Sequence, residues 1–337
     1  MPTNSIIYDW LTFTSKIDSP SSVIDLLGLS CVKFELLKGR YSYKDRLSFG
    51  DINIYFNGRE DMGICVEMSG QGCRDFETYG NGDYDSIFQT IIDGYSEESA
   101  SREYNITRLD VAYNDFEKVL DLPLLVRECQ LLHWVSPFHK WKVIVGSEGC
   151  SVEHGDTRSG NCSIRIYDKY MEQINKKGVD KNSLDFNSWV RCEIQLRREC
   201  ALGFIKLKNP IEKNYFDVLN YYLRYIVPTE NITNNRVLDT APFWLRFIRS
   251  ADRKSIFCKP GKTYNFGKLH SYVTTQCSAA IDTFIKIVGV DQFLSDIRNS
   301  RKGKVLNPKY SQLLQDAEAH QHGAELLAAI GEEEKLD

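Results

Sequence analysis

Tyr167 stands between two cations at alternate positions in the segment SIRIYDKYMEQ, residues 163–173. On an extended strand Arg165, Tyr167 and Lys169 share one face, while Cys162, Ile164 and Ile166 point the other way. Two readings fit a tyrosine so placed: a solvated strand edge, or a nucleophile held beside phosphate-binding groups. Two more segments are two-faced in the same manner. In RLDVAYN, Arg108, Asp110, Ala112 and Asn114 alternate with Leu109, Val111 and Tyr113. In VRCEIQLR, Arg191, Glu193, Gln195 and Arg197 alternate with Cys192, Ile194 and Leu196. If the three strands are neighbours, one sheet face gathers an aspartate, a glutamate, a tyrosine and several cations.

That set suits phosphodiester transesterification. A tyrosine hydroxyl, with a reference pKa of about 10, is a poor nucleophile at neutral pH. A divalent metal on Asp110 and Glu193 would neutralise non-bridging phosphate oxygens in the transition state. Arg165 and Lys169 would act on a phosphate in the same way. Attack would leave a phosphotyrosine bond that a strand's hydroxyl can later reverse. Oxygen ligands favour Mg²⁺ or Mn²⁺ over Zn²⁺. Arg108, Arg191 and Arg197 on the same faces are candidate DNA contacts, as is Arg158 in the turn-like GDTRSGN, residues 155–161. Each residue type also has an ordinary role. Tyrosine is common on strands. A single carboxylate is more often solvated or ion-paired. Tyr170 is the rival nucleophile, and it falls on the opposite face if the strand continues.

Other catalytic signals fail. Of the six histidines only His320 and His322 are close together, with a polar residue between them and a charged helical tail around them. SGQGCR, residues 69–74, lacks the pattern of a nucleotide-binding loop and reads as a turn.

The elements that must hold these faces come in a repeated order. Strands are expected at 5–14, 46–58 and 62–70, with helices at 19–29 and 84–98. A second round has strands at 104–115, 140–147, 162–169 and 189–198, with helices at 121–135 and 199–208. YDWLTFT matches LDVAYND, DINIYFN matches CSIRIYD, and ICVEMSG matches VRCEIQL. The two rounds read as a diverged duplication of a β-α-β-β-β unit, with Asp9/Asp110 and Glu67/Glu193 at equivalent places. Short connections imply mainly antiparallel pairing. The expected fold is α+β, with helices on one face of the sheet. Residues 1–103 are read as the first half of the sheet and 104–210 as the second, carrying the active site. Residues 211–310 are read as a helical, basic region, and 311–337 as a helical tail with an acidic end.

Bulk properties agree with a soluble globular protein. Hydrophobic residues make up 42% and charged residues 26% of 337 positions. The net charge of −4 argues against a uniformly basic nucleic-acid binder. Its distribution is uneven: residues 1–120 carry about −9 and residues 241–310 about +9. The segment RFIRSADRKSIFCKPGK, residues 246–262, is a candidate contact for duplex DNA or a helicase. The ten cysteines lack CxxC spacing and read as reduced core residues. No signal peptide or membrane-length apolar run is seen, so a cytoplasmic location without a membrane partner is expected.

The ordered set YDWLTFT, VEMSGQGCR, TRLDVAYND, RIYDK and VRCEIQLR resembles the replication initiation factor family over roughly residues 5–250. That family includes rolling-circle initiators of small plasmids, initiators of some filamentous phages, and relaxases of conjugative elements. The resemblance implies an endonuclease that nicks one strand at an origin and stays joined to the new 5′ end through tyrosine. It implies Tyr167 as nucleophile, on the tyrosine of the family's Arg-x-Tyr-x-Lys pattern. It places Asp110 and Glu193 on acidic strand positions, and implies a curved, saddle-like antiparallel sheet of two related halves. It implies no two-histidine metal site. Origin DNA and a host helicase are the implied partners, with homodimers in the plasmid branch. Two alternatives compete: a non-catalytic DNA-binding regulator on the same sheet, and a metal-dependent hydrolase in which water attacks.

Overall fold

The computed structural model describes residues 2–95, 103–147, 149–158, 160–229, 237–249, 251–253, 255–256, 269–270, 272–305, 310–311 and 314. Part of the basic segment 246–262, and His320 and His322, lie outside the described residues. Residues 1–258 form one compact unit and residues 259–337 a second. The second unit holds the helices Ser278–Val288 and Val290–Arg301.

The first unit begins with β1 (Ser5–Ser15), α1 (Pro20–Leu26), β2 (Glu35–Lys38), β3 (Asp45–Phe49), β4 (Ile52–Phe56) and β5 (Ile64–Ser69). Two helices follow, α2 (Gln71–Tyr79) and α3 (Tyr84–Asp93). The second round is β6 (Tyr104–Asp115), α4 (Leu122–Gln130), β7 (Trp134–Val135), β8 (Trp141–Gly146), β9 (Gly149–Gly155), β10 (Cys162–Asp168), α5 (Lys169–Lys177) and β11 (Val190–Arg197). It closes with α6 (Glu199–Ile205), α7 (Ile211–Tyr222), β12 (Arg224–Tyr225) and α8 (Pro242–Ile248).

Ten strands form one sheet in the order β2-β3-β4-β5-β1-β6-β11-β10-β9-β8. Every pairing in it is antiparallel. The two longest strands, β1 and β6, pair at the centre, with Trp10 opposite Asp110. Outward from that pair the order is β5, β4, β3, β2 on one side and β11, β10, β9, β8 on the other. This is the local two-fold that a duplicated unit produces. The α+β antiparallel architecture is as expected, and each half holds one more sheet strand than the unit read from the sequence.

The extra strands have identifiable causes. Gly50, at φ +52, makes a two-residue turn with Asp51 and divides the expected strand 46–58 into β3 and β4. β9 carries buried Val152, Glu153 and His154 in sequence, so it lacks polar–apolar alternation. SGQGCR is not a turn. It opens α2, and a Cβ on Gly72 would meet the Asp51 carbonyl oxygen at 2.4 Å, so that glycine lets the helix close on the β3–β4 turn.

Alternation along the strands sets the core. Leu11 and Phe13, Ile54, Val66, Leu109 and Val111, Ile164 and Ile166, and Ile194 and Leu196 all face the helices and are buried. Burial of each such side chain contributes about 1.5–3 kcal/mol. Trp244 and Phe247 of α8 and Tyr215 of α7 join the same core, and Tyr215 donates to the Cys192 carbonyl at 2.8 Å. Cys73, Cys129, Cys162, Cys192 and Cys200 are buried thiols within the core.

One core group makes the fold acid-sensitive. His154 on β9 is fully buried, its ring 4.5 Å from that of Trp134, and its Nδ1 has no hydrogen-bond partner. Burial pushes its pKa down to about 3. The unfolded chain takes up a proton near pH 6.5 that the folded chain refuses, so stability is complete above that pH and declines as pH falls towards 3. In urea titrations, the stability lost between pH 6.5 and 5 should be roughly 1–2 kcal/mol greater for the native chain than for His154→Phe. Parallel pH profiles for the two proteins would refute this.

Candidate active site

The face opposite the helices carries the polar partners of the same alternation. Pairing places β6, β11, β10 and β9 side by side, with Asp110 opposite Gln195, Glu193 opposite Ala112 and Arg165, and Arg165 opposite Glu153. Tyr167 lies opposite Arg191 and Ser151. The three strands singled out by sequence are therefore immediate neighbours.

Tyr167 is 4% exposed. Its hydroxyl donates to Glu193 Oε2 at 3.5 Å, and the Arg165 guanidinium lies 4.0 Å from the ring centroid. Burial first, then the Glu193 charge, raise its pKa well above the ordinary phenol value, with Arg191 opposing. Glu193 is itself pushed up to about 7, by burial first and then by Asp110 and Asp9, while Arg191 and Arg165 pull it down. Asp110 is raised by burial, and Arg108 holds it back.

Arginines offset this crowding of carboxylates. Arg108 forks onto Asp110, with Nη2–Oδ2 at 2.5 Å and Nε–Oδ1 at 2.9 Å. Arg191 donates to Asp9 Oδ2 at 2.7 Å and to Asn114 Oδ1 at 2.8 Å. Gln195 completes the arrangement when its amide is assigned with the oxygen towards Arg108, at 2.6 Å, and the nitrogen towards the Thr157 carbonyl, at 2.9 Å. Arg197 lies opposite Arg108 and reaches the Thr157 carbonyl at 3.3 Å.

A groove of about 290 Å³ opens on this face. Arg108, Lys142, Arg158 and Arg165 line it together with Glu153, Glu193 and Gln195. Arg158 is exposed, and its backbone N–H is held by Asp156 at 3.0 Å. The groove thus presents four cations beside the carboxylate that accepts from Tyr167.

Two placements differ from the extended-strand picture. β10 ends at Asp168, whose side chain accepts from Met171 N at 2.8 Å and caps α5. Lys169 is therefore the first helical residue. Its Nζ pairs with Glu172 at 2.5 Å and sits 5.5 Å from the Tyr167 ring. Tyr170 also belongs to α5, and its ring packs 6.2 Å from Phe186. Sequence reading passed over two acidic members. Asp9 reaches the site because the β1–β6 register shifts between Tyr8 and Trp10. Glu153 pairs with Lys142 at 3.0 Å and lies 3.6 Å from Arg165. The Asp9/Asp110 correspondence read between the repeats was the available signal for the first, although the strand register puts Trp10, not Asp9, at the place of Asp110.

The donor set fits a hard divalent cation. Asp110 and Glu193 offer only oxygen ligands; burial first raises the pKa of each, with the Asp9 charge adding to both and the Asp110 charge adding to Glu193. Among the described residues no group of three or more Asp, Glu, His or Cys closes on one point. Mg²⁺ needs only one or two carboxylates when substrate phosphate and water supply the rest.

The chain is 25% identical over 255 residues to the putative DNA relaxase NicK of Bacillus subtilis (strain 168), covering 72% of this chain and 70% of that one. The solved structure of a rolling circle replication initiator protein from Geobacillus stearothermophilus is 28% identical, with a TM-score of 0.62, covering 76% of this chain and 100% of that one. Residues 5–91 match the N-terminal domain of rolling circle replication initiation proteins. Residues 104–297, which begin at β6 and include the whole Tyr167 strand, match the replication initiation factor, and this chain belongs to that family.

Proposed function

We propose that this chain initiates rolling-circle replication by nicking one strand of origin DNA, with Tyr167 as the nucleophile. The observation that carries the reading is the Tyr167–Glu193 hydrogen bond beside an arginine-lined groove, in a chain of this family. Tyr167 Oη attacks the scissile phosphorus and its proton passes to Glu193. The new Oη–P bond forms as the P–O3′ bond breaks, and the released 3′ oxygen takes a proton from water. The product is a 5′-phosphotyrosine that a later 3′ hydroxyl reverses by the same route. Arg165 and Arg108 face the groove and are placed to hold the phosphate oxygens; Arg158 and Lys142 extend the contact along the strand. Lys169 steadies the tyrosine ring from the start of α5. Asp110 and Glu193 would hold Mg²⁺ or Mn²⁺, which when bound neutralises charge on the phosphate. The likeness to a putative DNA relaxase supports conjugative strand transfer as a second setting for the same chemistry.

Substitution and metal removal test this reading. With supercoiled origin DNA, Tyr167→Phe should abolish both the nick and the covalent protein–DNA adduct on denaturing gels, and leave DNA affinity intact. Tyr170→Phe should keep both products. An adduct that survives Tyr167→Phe but not Tyr170→Phe reassigns the nucleophile, and cleavage without any adduct points to a water-attacking hydrolase. Chelation of divalent cations should stop nicking while leaving binding in place. Asp110→Ala should raise the Mg²⁺ concentration needed for half-maximal nicking, by about 10- to 100-fold if the carboxylate is a ligand. An unchanged metal requirement would remove Asp110 from the metal site.

A further inference from the structure

The local two-fold that relates the halves places a second tyrosine–glutamate pair on the polar face. Under it β4 corresponds to β10, β5 to β11 and β3 to β9. In the second half Glu193 lies opposite Arg165, two residues before Tyr167. In the first, Glu67 lies opposite Asn53, two residues before Tyr55. The hydrogen bond is reproduced too: Tyr55 Oη donates to Glu67 Oε1 at 3.2 Å, against 3.5 Å for Tyr167 and Glu193.

The chemistry around the pair is not reproduced. Asn53 stands where the second half has Arg165, and Trp10 stands across the two-fold from Asp110. Tyr55 is 0% exposed, covered by the rings of Tyr41 and Tyr43 at 5.5 and 6.0 Å. Tyr55 is therefore not an accessible nucleophile. The first half has groups of another kind. Arg46 lies opposite Tyr55 where the second half has Ser151, and its Nε is buried without an acceptor. Tyr41 is 63% exposed. Trp10 lies between the halves, with the Arg108 guanidinium 3.8 Å from its ring centroid. Aromatic rings that stack on bases, with guanidinium groups that meet phosphates, are what single-stranded nucleic acid requires of a protein surface.

We propose that the polar face of the first half, from Trp10 to Arg46 and Tyr41, is a track for single-stranded DNA continuous with the Tyr167 groove. It rests on the reading of that groove as a DNA nicking site. Six strand-to-strand steps separate β10 from β3, which carries Arg46, so the track extends about 29 Å along the sheet. One half keeps the reaction, and the other holds the strand that the reaction releases or receives.

The test uses the full chain in chelator, so that no nicking occurs, and fluorescent oligodeoxythymidylates of about 6 and about 20 nucleotides. The double variant Tyr41→Ala/Arg46→Ala should weaken binding of the longer oligonucleotide about tenfold and leave the shorter one's affinity unchanged. Equal affinities for the longer probe, or equal losses for both probes, would overturn the proposal. A second measurement needs no variant. Ultraviolet crosslinking of a bromodeoxyuridine-substituted longer probe to the unaltered chain should label the peptide holding Tyr41 or Trp10, as read by mass spectrometry. Labelling confined to residues 140–198 would equally refute the track. Neither measurement depends on adduct formation, so failure of the Tyr167 reading would register separately.

Discussion

The arrangement depends on how many carboxylates one sheet face can hold. Neighbouring strands lie about 4.8 Å apart, and like charges facing one another across that spacing repel. Here Asp9, Asp110 and Glu193 come from three consecutive strands, β1, β6 and β11, and Glu153 follows two strands on. An unpaired buried carboxylate costs several kcal/mol, and pairing it with a cation usually does little more than offset that loss. Arg108 and Arg191 provide the pairing. Ala112, opposite Glu193, leaves the space that a longer side chain would fill. These contacts do not stabilise the fold overall. The apolar side of the same strands does that, and it sustains a polar side kept for chemistry.

Much of this was legible in the sequence because a strand has a period of two. Reading alternate residues put Asp110, Glu193, Arg165 and Tyr167 on one face, and pairing then made their strands neighbours. The internal repeat was legible for the same reason, and the strand order makes it visible as a two-fold about β1 and β6. What stayed hidden was local backbone geometry. The register shift that turns Asp9 inward leaves no mark in YDW. Gly50 and Asp51 look like part of one polar-apolar run until the turn is seen. β9 was missed because Glu153 and His154 are buried from opposite faces, by ion pairing on one side and by the core on the other. The end of β10 hinged on the side chain of Asp168, which reads equally well as a strand residue and as a helix cap.

Duplication also explains how the two halves can differ on the polar face while keeping one shape. The core of each half needs only alternating apolar residues, which Ile52, Ile54 and Val66 supply as well as Ile164, Ile166 and Ile194. The polar face is then free to diverge, because its residues contribute little to packing. Asn53 for Arg165 and Trp10 for Asp110 are changes of that kind. The Tyr55–Glu67 hydrogen bond persists because a tyrosine that the neighbouring rings bury still needs an acceptor for its hydroxyl.

The same need for an acceptor governs the reactive half. Burial and the Glu193 charge both raise the Tyr167 pKa, so the side chain rests as a neutral phenol. Ionising it in advance would set a phenolate against a carboxylate in a poorly solvated place. An arriving phosphodiester adds a further negative charge, and the cations lining the groove offset that charge rather than the phenolate. On the proposed mechanism, proton loss would be favourable only when it accompanies attack, with the proton moving to Glu193 as negative charge moves from the tyrosine oxygen onto the phosphate. In the proposed role, Tyr167 would be inert towards solvent and small electrophiles and would become reactive where a phosphate already fills the groove. The register sets Tyr167 two residues beyond the partner of Glu193, and any shift of β10 against β11 would part the hydroxyl from the carboxylate proposed to take its proton.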